Sequence, residues 1–175
     1  VSDKKNPDDS ARPLPLVYVD DELGVYLKDA RRYIKEGNYP RAIEILQALL
    51  DKSDQPFVPT ADPRRYMALS SEASHVLGQM GGEGLKLYRR LYDPKARLIY
   101  RDARGGLDVS ALRDIARRFL HTEYGPEALN LLGAIHFDRA EFAQAASRWR
   151  EMLAVGGEDV DPAAALAKIA VASHY

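Results

Sequence analysis

The hydrophobic residues of this chain recur at the spacing of α-helices, most regularly between residues 126 and 153. Apolar residues three or four positions apart share one face of a helix. Two such stripes follow each other here, and the small residues Gly133 and Ala145 lie where two helices would touch. The stripes consist of Leu129, Leu132, Gly133 and His136, and of Phe142, Ala145, Ala146, Trp149 and Met152. The segment therefore predicts two packed helices that form one structural unit.

A second copy of this unit lies near the start of the chain. Gly37 and Asn38 interrupt the helical pattern there, and Pro40 suits the first turn of a second helix. The spacing of Leu129, Gly133, His136, Ala145, Trp149 and Met152 is kept by Tyr26, Ala30, Tyr33, Ala42, Leu46 and Leu49. Residue 129 follows residue 26 by 103 positions, close to three periods of about 34 residues. Two degenerate copies should lie between them.

The remaining apolar stripes divide residues 21–175 into helical pairs. Prolines mark a loop at 54–62, and a helical stripe begins at Tyr66. A short helix is predicted from residue 94 to residue 104. The predicted pairs span about 22–52, 63–92, 94–121 and 124–154, and a terminal helix spans about 161–173. Asp20 supplies an acceptor for the free backbone N–H groups at the start of the first helix. The pattern predicts an all-α fold.

The two ends of the chain differ from this pattern. Residues 1–20 are polar and then proline-spaced, which predicts an extended or disordered leader, with Leu14, Leu16 and Tyr18 able to lie along the first helices. The last helix is apolar nearly all round, whereas the terminal helix of a repeat protein should have a polar outer face. Because the chain also begins with Val1 instead of Met, we expect it to be a trimmed part of a longer protein.

The order of residue sizes in the best-preserved unit resembles the tetratricopeptide repeat. The family's series of bulky, small and aromatic positions falls on Leu129, Leu132, Gly133, His136, Ala145, Trp149 and Met152. The resemblance implies an α-solenoid of about four helix pairs plus a terminal helix. It also implies a protein-interaction scaffold, in which the first helix of each pair lines a concave surface for a peptide or protein partner.

The order of the segments also resembles a more specific family, the helical N-terminal region of bacterial exported proteins that continue into a pyrroloquinoline-quinone-type β-propeller. The resembling segments are VYVDDELGVYLKDARRYIKEGNYPRAIEILQALL, GLKLYRRLYDPKARLIYRDA and ALRDIARRFLHTEYGPEALNLLGAIHFDRAEFAQAASRWREML. This resemblance implies a periplasmic or exported location and a scaffold role. No residue of the propeller itself can be assigned to this chain.

Composition narrows the possible partners. The chain has 46% apolar and 29% charged residues, as ordinary soluble globular proteins do, and its net charge of −1 gives no general attraction to nucleic acid or an anionic membrane. Residues 82–120 hold ten basic and five acidic side chains, so the middle of the chain is basic. No apolar run approaches the roughly 20 residues of a membrane span. No cysteine is present, which excludes disulfides and thiolate metal sites.

The candidate partner-binding residues lie beside the apolar stripes, on the outward positions of the first helix in the first and last pairs. In the first pair a basic and apolar mixture suits an acidic peptide or a terminal carboxylate, and in the last pair Asn130 stands where the repeat family often places a peptide-binding amide. The predicted set is Lys28, Arg31, Lys35, Glu127, Asn130, Ala134 and Phe137. A solvated helix face without a ligand is the competing interpretation.

Residues that could support catalysis or metal binding form no complete motif. The stretch 81–86 lacks the lysine directly after glycine, and the hydroxyl after it, that a phosphate-binding loop needs. Ser71 and His75 share a helix face but have no orienting acid. His121 and Glu123 could ligate a metal only with a third ligand, and His136 is expected to be a core ring with a hydrogen-bond partner. We predict no catalytic residue, metal or cofactor.

Three functions remain open at this point. We predict a non-catalytic scaffold that binds a protein or peptide, with neither nucleic-acid binding nor membrane insertion. The alternative is a leader domain that packs against and positions a C-terminal β-propeller of the same polypeptide. An enzyme with a site among the tyrosines and arginines of 88–118 is a third possibility without a supporting motif.

Overall fold

The computed structural model describes residues 19–62, 64–157 and 160–175, and this part of the chain is mostly α-helical, as predicted. Its elements are α1 (Asp21–Lys35), α2 (Tyr39–Leu50), β1 (Phe57–Pro59), β2 (Tyr66–Ala68), α3 (Leu69–Gly78), α4 (Gly81–Gly106), α5 (Val109–Arg118), α6 (Tyr124–Asp138), α7 (Phe142–Val155) and α8 (Pro162–His174). Most of the predicted leader, including Leu14, Leu16 and Tyr18, lies outside the described residues.

Short polar side chains start four of these helices. The Oδ1 atom of Asp20 accepts a hydrogen bond from the backbone N–H of Leu23 at 3.0 Å, which confirms the predicted role of Asp20. Asn38, Asp108 and Asp161 accept backbone N–H groups in the same way at the starts of α2, α5 and α8. Each side chain satisfies a donor that the helix itself leaves unpaired.

The longest helix, α4, runs unbroken through Pro94. The predicted division between a helix ending near 92 and another beginning at 94 is therefore wrong. Pro94 is exposed, so the backbone carbonyl that loses its usual N–H donor can be solvated. Burial on the opposite side stabilises both halves of the helix, through Tyr88 before the proline and Ala96 and Tyr100 after it.

A small antiparallel hairpin replaces the predicted loop and the first turn of the predicted helix at 66. Phe57 pairs with Ala68 and Pro59 with Tyr66, while Val58 between them is fully buried. Helix α3 starts only at Leu69, whose backbone N–H donates to the carbonyl of Pro56. Three-residue strands are too short to show a distinct alternation of apolar and polar residues, so the pattern does not reveal them.

The buried stripe of α1 is shifted by one residue from the predicted one. Tyr26 is 53% exposed, whereas Leu27 is fully buried together with Ala30. Leu23, Leu27 and Ala30 form a continuous helical face, and a tyrosine ring next to such a face can remain partly solvated because its hydroxyl favours water. The first position of the predicted repeat in α1 is therefore not equivalent to Leu129, which is buried.

The buried residues form two hydrophobic cores that share α4. The N-terminal core contains residues of α1, α2, β1, α3 and the first half of α4, including Tyr88. The C-terminal core contains residues of the second half of α4 and of α5–α8, including Trp149. Tyr92 packs against both cores. One continuous helix thus supplies side chains to both halves of the fold.

Helices next in sequence pack together, and a second set of contacts links alternate helices. Helix α3 contacts both α1 and α5, and helix α4 contacts both α2 and α6. The odd-numbered helices α1, α3 and α5 therefore lie side by side, as do the even-numbered helices α2, α4 and α6. This arrangement determines which helices can share a binding surface.

A polar junction fixes the end of α2 against α4 and α5 beside the cores. The hydroxyl of Tyr88 donates to the Oε1 atom of Gln47 at 3.0 Å and to the backbone carbonyl of Arg118 at 3.2 Å. The Nε atom of Arg118 donates to Asp51 at 2.8 Å, and its Nη1 atom donates to Asp114 at 2.7 Å. Because the Tyr88 hydroxyl is buried, these bonds compensate for its lost hydration.

The same junction covers the C-terminal end of α2. The Nη1 atom of Arg117 donates to the backbone carbonyls of Leu50 and Lys52 at 2.9 and 3.1 Å, while its Nη2 atom donates to Asp114 at 2.7 Å. A guanidinium at this position pairs carbonyls that have no partner within the helix and complements the negative end of the helix dipole. Asp114 has a lowered pKa because Arg117 and Arg118 donate hydrogen bonds to it and outweigh its partial burial.

The close approach of α6 and α7 depends on Gly133, as the residue pattern predicts. A Cβ atom placed on Gly133 would lie 2.3 Å from the Nε1 atom of Trp149, which donates to the backbone carbonyl of Asn130. His136 is buried on the same helix and hydrogen-bonds through Nδ1 to Glu141, which confirms the predicted core ring with a partner.

We predict that Gly133→Ala destabilises the protein by about 3 kcal/mol, because the new methyl group would push Trp149 out of a close-packed contact. Urea unfolding followed by circular dichroism measures the change. Gly105→Ala is the matched control on α4, where an added Cβ meets no atom within 4 Å. The control should gain up to about 1 kcal/mol from its better helix propensity. Equal stability of the two variants would contradict the packing argument.

Candidate partner-binding surfaces

The predicted residues of the first pair lie along one face of α1, but they differ in what they contact. Lys28 and Lys35 are exposed. Arg31 between them forms an ion pair with Glu72 of α3, whose side chain is only 2% exposed. Arg31 therefore compensates a buried carboxylate and joins α1 to α3, while the two lysines extend into solvent on either side of it.

The predicted residues of the last pair have three different environments on α6. Phe137 packs in the C-terminal core, with its ring centroid 5.2 Å from that of Phe142 and 6.0 Å from that of Trp149. Ala134 is exposed, and Glu127 and Asn130 are partly buried at the edge of a cleft. Of the four residues, Phe137 is occupied in holding α6 against α7.

The structure does not join these two groups into one surface. Helix α1 packs against α2, α3 and β1, whereas α6 packs against α4, α5 and α7. The predicted break at Pro94 would have placed α6 in the same series as α1. Because α4 is continuous, α6 instead belongs with α2 and α4, and a continuous face from Lys28 to Asn130 does not form.

Glu127 and Asn130 line a cleft of about 490 Å³ between α4, α6, the end of α7 and α8, which we call the α8 cleft. Its polar side chains are largely bonded to the protein itself. The Nζ atom of Lys168 donates to the Oδ1 atom of Asn130 at 2.9 Å, and the Nε atom of Arg89 donates to the carbonyl of His121 at 3.2 Å. Glu127 also lies next to Tyr100 of α4. Burial of Tyr100 and the Glu127 carboxylate raise the pKa of Tyr100 to about 12.

A second cleft, of about 410 Å³, opens between α3, α5, α6 and α7, and we call it the serine–arginine groove. Its lining residues are Ser70, Ser71, Ser74, Arg113, Ala116, Arg117, Leu120, Leu132, His136, Gln144, Arg148 and Glu151. Three arginines and one carboxylate give it a positive charge balance. Two of its four helices, α3 and α5, belong to the odd-numbered series that also contains α1 with Lys28 and Lys35.

The arginines of this groove have different freedom to bind a ligand. Arg117 is held by Asp114 and by the last carbonyls of α2. Arg148 forms a 2.7 Å ion pair with Glu151 in which both side chains are partly exposed, and Arg113 is exposed. Exposed ion pairs exchange partners at little energetic cost, so Arg113 and Arg148 are the cations available to an incoming anion.

His121 packs against Ser74, one of the residues that line the groove. Its Nε2 atom lies 2.9 Å from the carbonyl oxygen and 3.1 Å from the hydroxyl of Ser74, and its ring occupies the space beside Gly78. Burial lowers its pKa below the ordinary value of 6.5. His75 is bonded to Gln79. Across 19–62, 64–157 and 160–175, no cluster of three or more histidine or acidic side chains suits a metal ion.

The serine–arginine groove is not apparent from the sequence. In the sequence Ser71 stands out only through its spacing from His75, and Arg113 and Arg148 lie on the second helices of their predicted pairs, which are not predicted to line the concave surface. These residues come together because α4 is continuous, which decides which of the later helices lie next to α3. No spacing of residues within a single helix indicates it.

No protein-family model matches the chain, and neither a curated protein nor a solved structure matches it. In the part of the chain that the structure describes, no helix combines the length and hydrophobicity needed to cross a bilayer.

We predict that Arg31→Ala lowers the free energy of unfolding by about 3 kcal/mol, because it leaves the buried Glu72 carboxylate without its cation. Chemical denaturation measures the loss. Arg32→Ala on the same helix is the control, since Arg32 pairs with the exposed Asp29 and Glu36 and lies over the Tyr33 ring, and its removal should cost far less stability than Arg31→Ala. A similar small loss for both would show that Arg31 is not structural.

We also predict that protonation of His121 destabilises the fold. Because burial lowers its folded pKa, the unfolded chain binds more protons as the pH falls, so stability is present above pH 6.5 and declines toward pH 5. His121→Asn should show a smaller decline in urea midpoint between pH 7.5 and about pH 5 than the unmodified chain. His75→Asn is the exposed control and should retain the full decline. An NMR titration that gave His121 a pKa above 6.5 would overturn this prediction.

Proposed function

We propose that this chain is a non-catalytic protein-interaction scaffold built from tetratricopeptide-like helix pairs, and that it binds an extended acidic peptide segment in the serine–arginine groove. The observation that carries the proposal is the convergence of Arg113, Arg148 and the serines of α3 around one open cleft. The residue spacing of the repeat family and the side-by-side packing of α1, α3 and α5 support a solenoid arrangement.

The chemistry of the groove favours carboxylates. Planar guanidinium groups bind carboxylates through paired hydrogen bonds, and hydroxyl groups can donate to the remaining oxygens. Arg113 on α5 and Arg148 on α7 would contact the acidic side chains of the peptide, while Ser70 and Ser71 on α3 would donate to it. Gln144 supplies an amide that can pair with the peptide backbone.

Long-range attraction would come from α1. Lys28 and Lys35 are exposed on a helix that packs directly against α3, so they extend the positive charge beyond the groove. Charges outside the contact area accelerate the association of an acidic partner more than they tighten the final complex. The predicted lysines therefore keep a role in the proposed site, whereas Arg31 is assigned to stability.

The α8 cleft is a weaker candidate for the same partner. Four acidic residues, Asp93, Glu123, Glu127 and Asp161, line it against Arg89 and Lys168. An acidic segment would be repelled there, and Lys168 already pairs with Asn130. Glu127 and Asn130, the predicted partner residues of α6, are therefore proposed to form a separate and less favourable surface.

A second candidate function is that of a leader domain that positions a C-terminal β-propeller of the same polypeptide. The exposed apolar side of α8 favours it, since Leu166 is 58% exposed and Val171 is 49% exposed. An interdomain contact would bury these residues. This second proposal includes a periplasmic or exported location in a bacterium, for which the resemblance of the helical segments is the support.

The test is binding of a fluorescein-labelled peptide of alternating glutamate and serine, measured by fluorescence polarisation. We expect Arg113→Gln combined with Arg148→Gln to weaken binding by on the order of tenfold or more, because each cation contributes a charge-assisted hydrogen bond. Arg64→Gln combined with Arg139→Gln is the matched control at exposed positions outside the groove. A lysine-for-glutamate peptide that bound equally well, or an equal loss in the control, would refute the proposal.

A further inference from the structure

The outer face of α4 carries an exposed apolar stripe at coiled-coil spacing. Residues 87, 91, 94 and 98 are separated by four, three and four positions, and they are Leu87, Leu91, Pro94 and Leu98. Because successive residues of an α-helix are rotated by about 100°, these four positions lie along one side of the helix. Leu91 is 53% exposed and Leu98 is 54% exposed, while Leu87 is half-buried at the margin of the N-terminal core.

A row of basic side chains runs alongside this stripe. Helical rotation places residues 86, 90, 97, 101 and 104 next to it on one flank, and all five are exposed. They are Lys86, Arg90, Arg97, Arg101 and Arg104. Of this row, Arg101 bonds at 3.1 Å to the exposed Asp102, a pair that contributes little.

The stripe lies on a rigid support. On the opposite side of the helix, Tyr88 is buried in the N-terminal core and Ala96 in the C-terminal core, and Tyr88 is also bonded at the polar junction. The leucines and arginines are therefore held in a fixed arrangement before any partner binds, which lowers the entropy cost of binding. Pro94 adds a backbone feature, since its missing N–H leaves the carbonyl of Arg90 without its usual helical donor.

We propose that this face of α4 binds an amphipathic helix of a partner protein, one with an apolar heptad stripe and acidic residues flanking it. The apolar spacing matches that of a helix packed at a shallow angle, and the basic row requires negative charge on the neighbouring positions of the partner. A second copy of this chain is a poor occupant, because a symmetric contact through α4 would bring two basic rows together. The site is independent of the serine–arginine groove.

The probe is a fluorescein-labelled 21-residue helix of three heptads, with leucine and alanine at the apolar positions and glutamate at the flanking ones. We expect saturable binding with a gain in peptide helicity. Leu91→Gln combined with Leu98→Gln, and Arg97→Gln combined with Arg101→Gln, should each weaken binding by on the order of tenfold. Leu107→Gln combined with Leu166→Gln is the control at exposed leucines off the stripe and should change nothing.

Two further measurements show whether the probe binds the α4 face instead of the serine–arginine groove, and whether its apolar residues are needed. Arg113→Gln combined with Arg148→Gln should leave binding of the helical probe unchanged, so loss of the groove and loss of the α4 face are distinguishable. Binding of a glutamate-flanked peptide whose leucines are replaced by glutamine should fall at least tenfold. The proposal is overturned if that peptide or a lysine-flanked one binds equally, or if the helical probe shows no binding, whether or not the chain binds vesicles of anionic lipid.

Discussion

The rest of the structure depends on burial along a single helix, α4, on both sides of a proline. A proline inside a helix costs about 3 kcal/mol, so the helix persists because its buried side is stabilised elsewhere. Before the proline, Tyr88 stabilises the helix by its burial and by its hydrogen bonds to Gln47 and to the carbonyl of Arg118. Ala96 and Tyr100 stabilise it after the proline. The two cores meet where Tyr92 packs on both.

The sequence predicts well those features that depend on neighbours within a helix. The pair at 124–154 appears as α6 and α7, and the contact of Gly133 with Trp149 follows from the placement of a small residue opposite a large one. The continuity of α4 through Pro94 could not be predicted, because the contacts that stabilise the helix there come from residues distant in the chain. The pattern predicts Tyr26 on the buried face of α1, whereas Leu27 is the buried residue. Two adjacent apolar residues leave the direction of the core uncertain by one position.

Surfaces that combine several helices are harder to predict from the sequence than the helices themselves. They depend on whether each helix is odd- or even-numbered along the chain, because the two sets pack in separate series. Because α4 is one helix where two were predicted, every later helix moves to the other series, and the predicted residues of α6 do not share a surface with those of α1. Lys28 and Lys35 are still proposed to attract an acidic partner, because α1 precedes α4 and its place in the odd-numbered series is unchanged. Arg31 could not be assigned from sequence, since its role depends on Glu72, 41 residues away.

The continuity of α4 also bears on how the molecule comes apart. In a stack of separable repeats, local opening can stop at the boundary between two units, and the terminal units fray independently. Here the boundary falls within a hydrogen-bonded helix whose side chains belong to both halves. Loss of either core removes support for α4, which both cores share, so amide protons of the two halves should exchange as one cooperative unit, while the less buried α8 opens on its own.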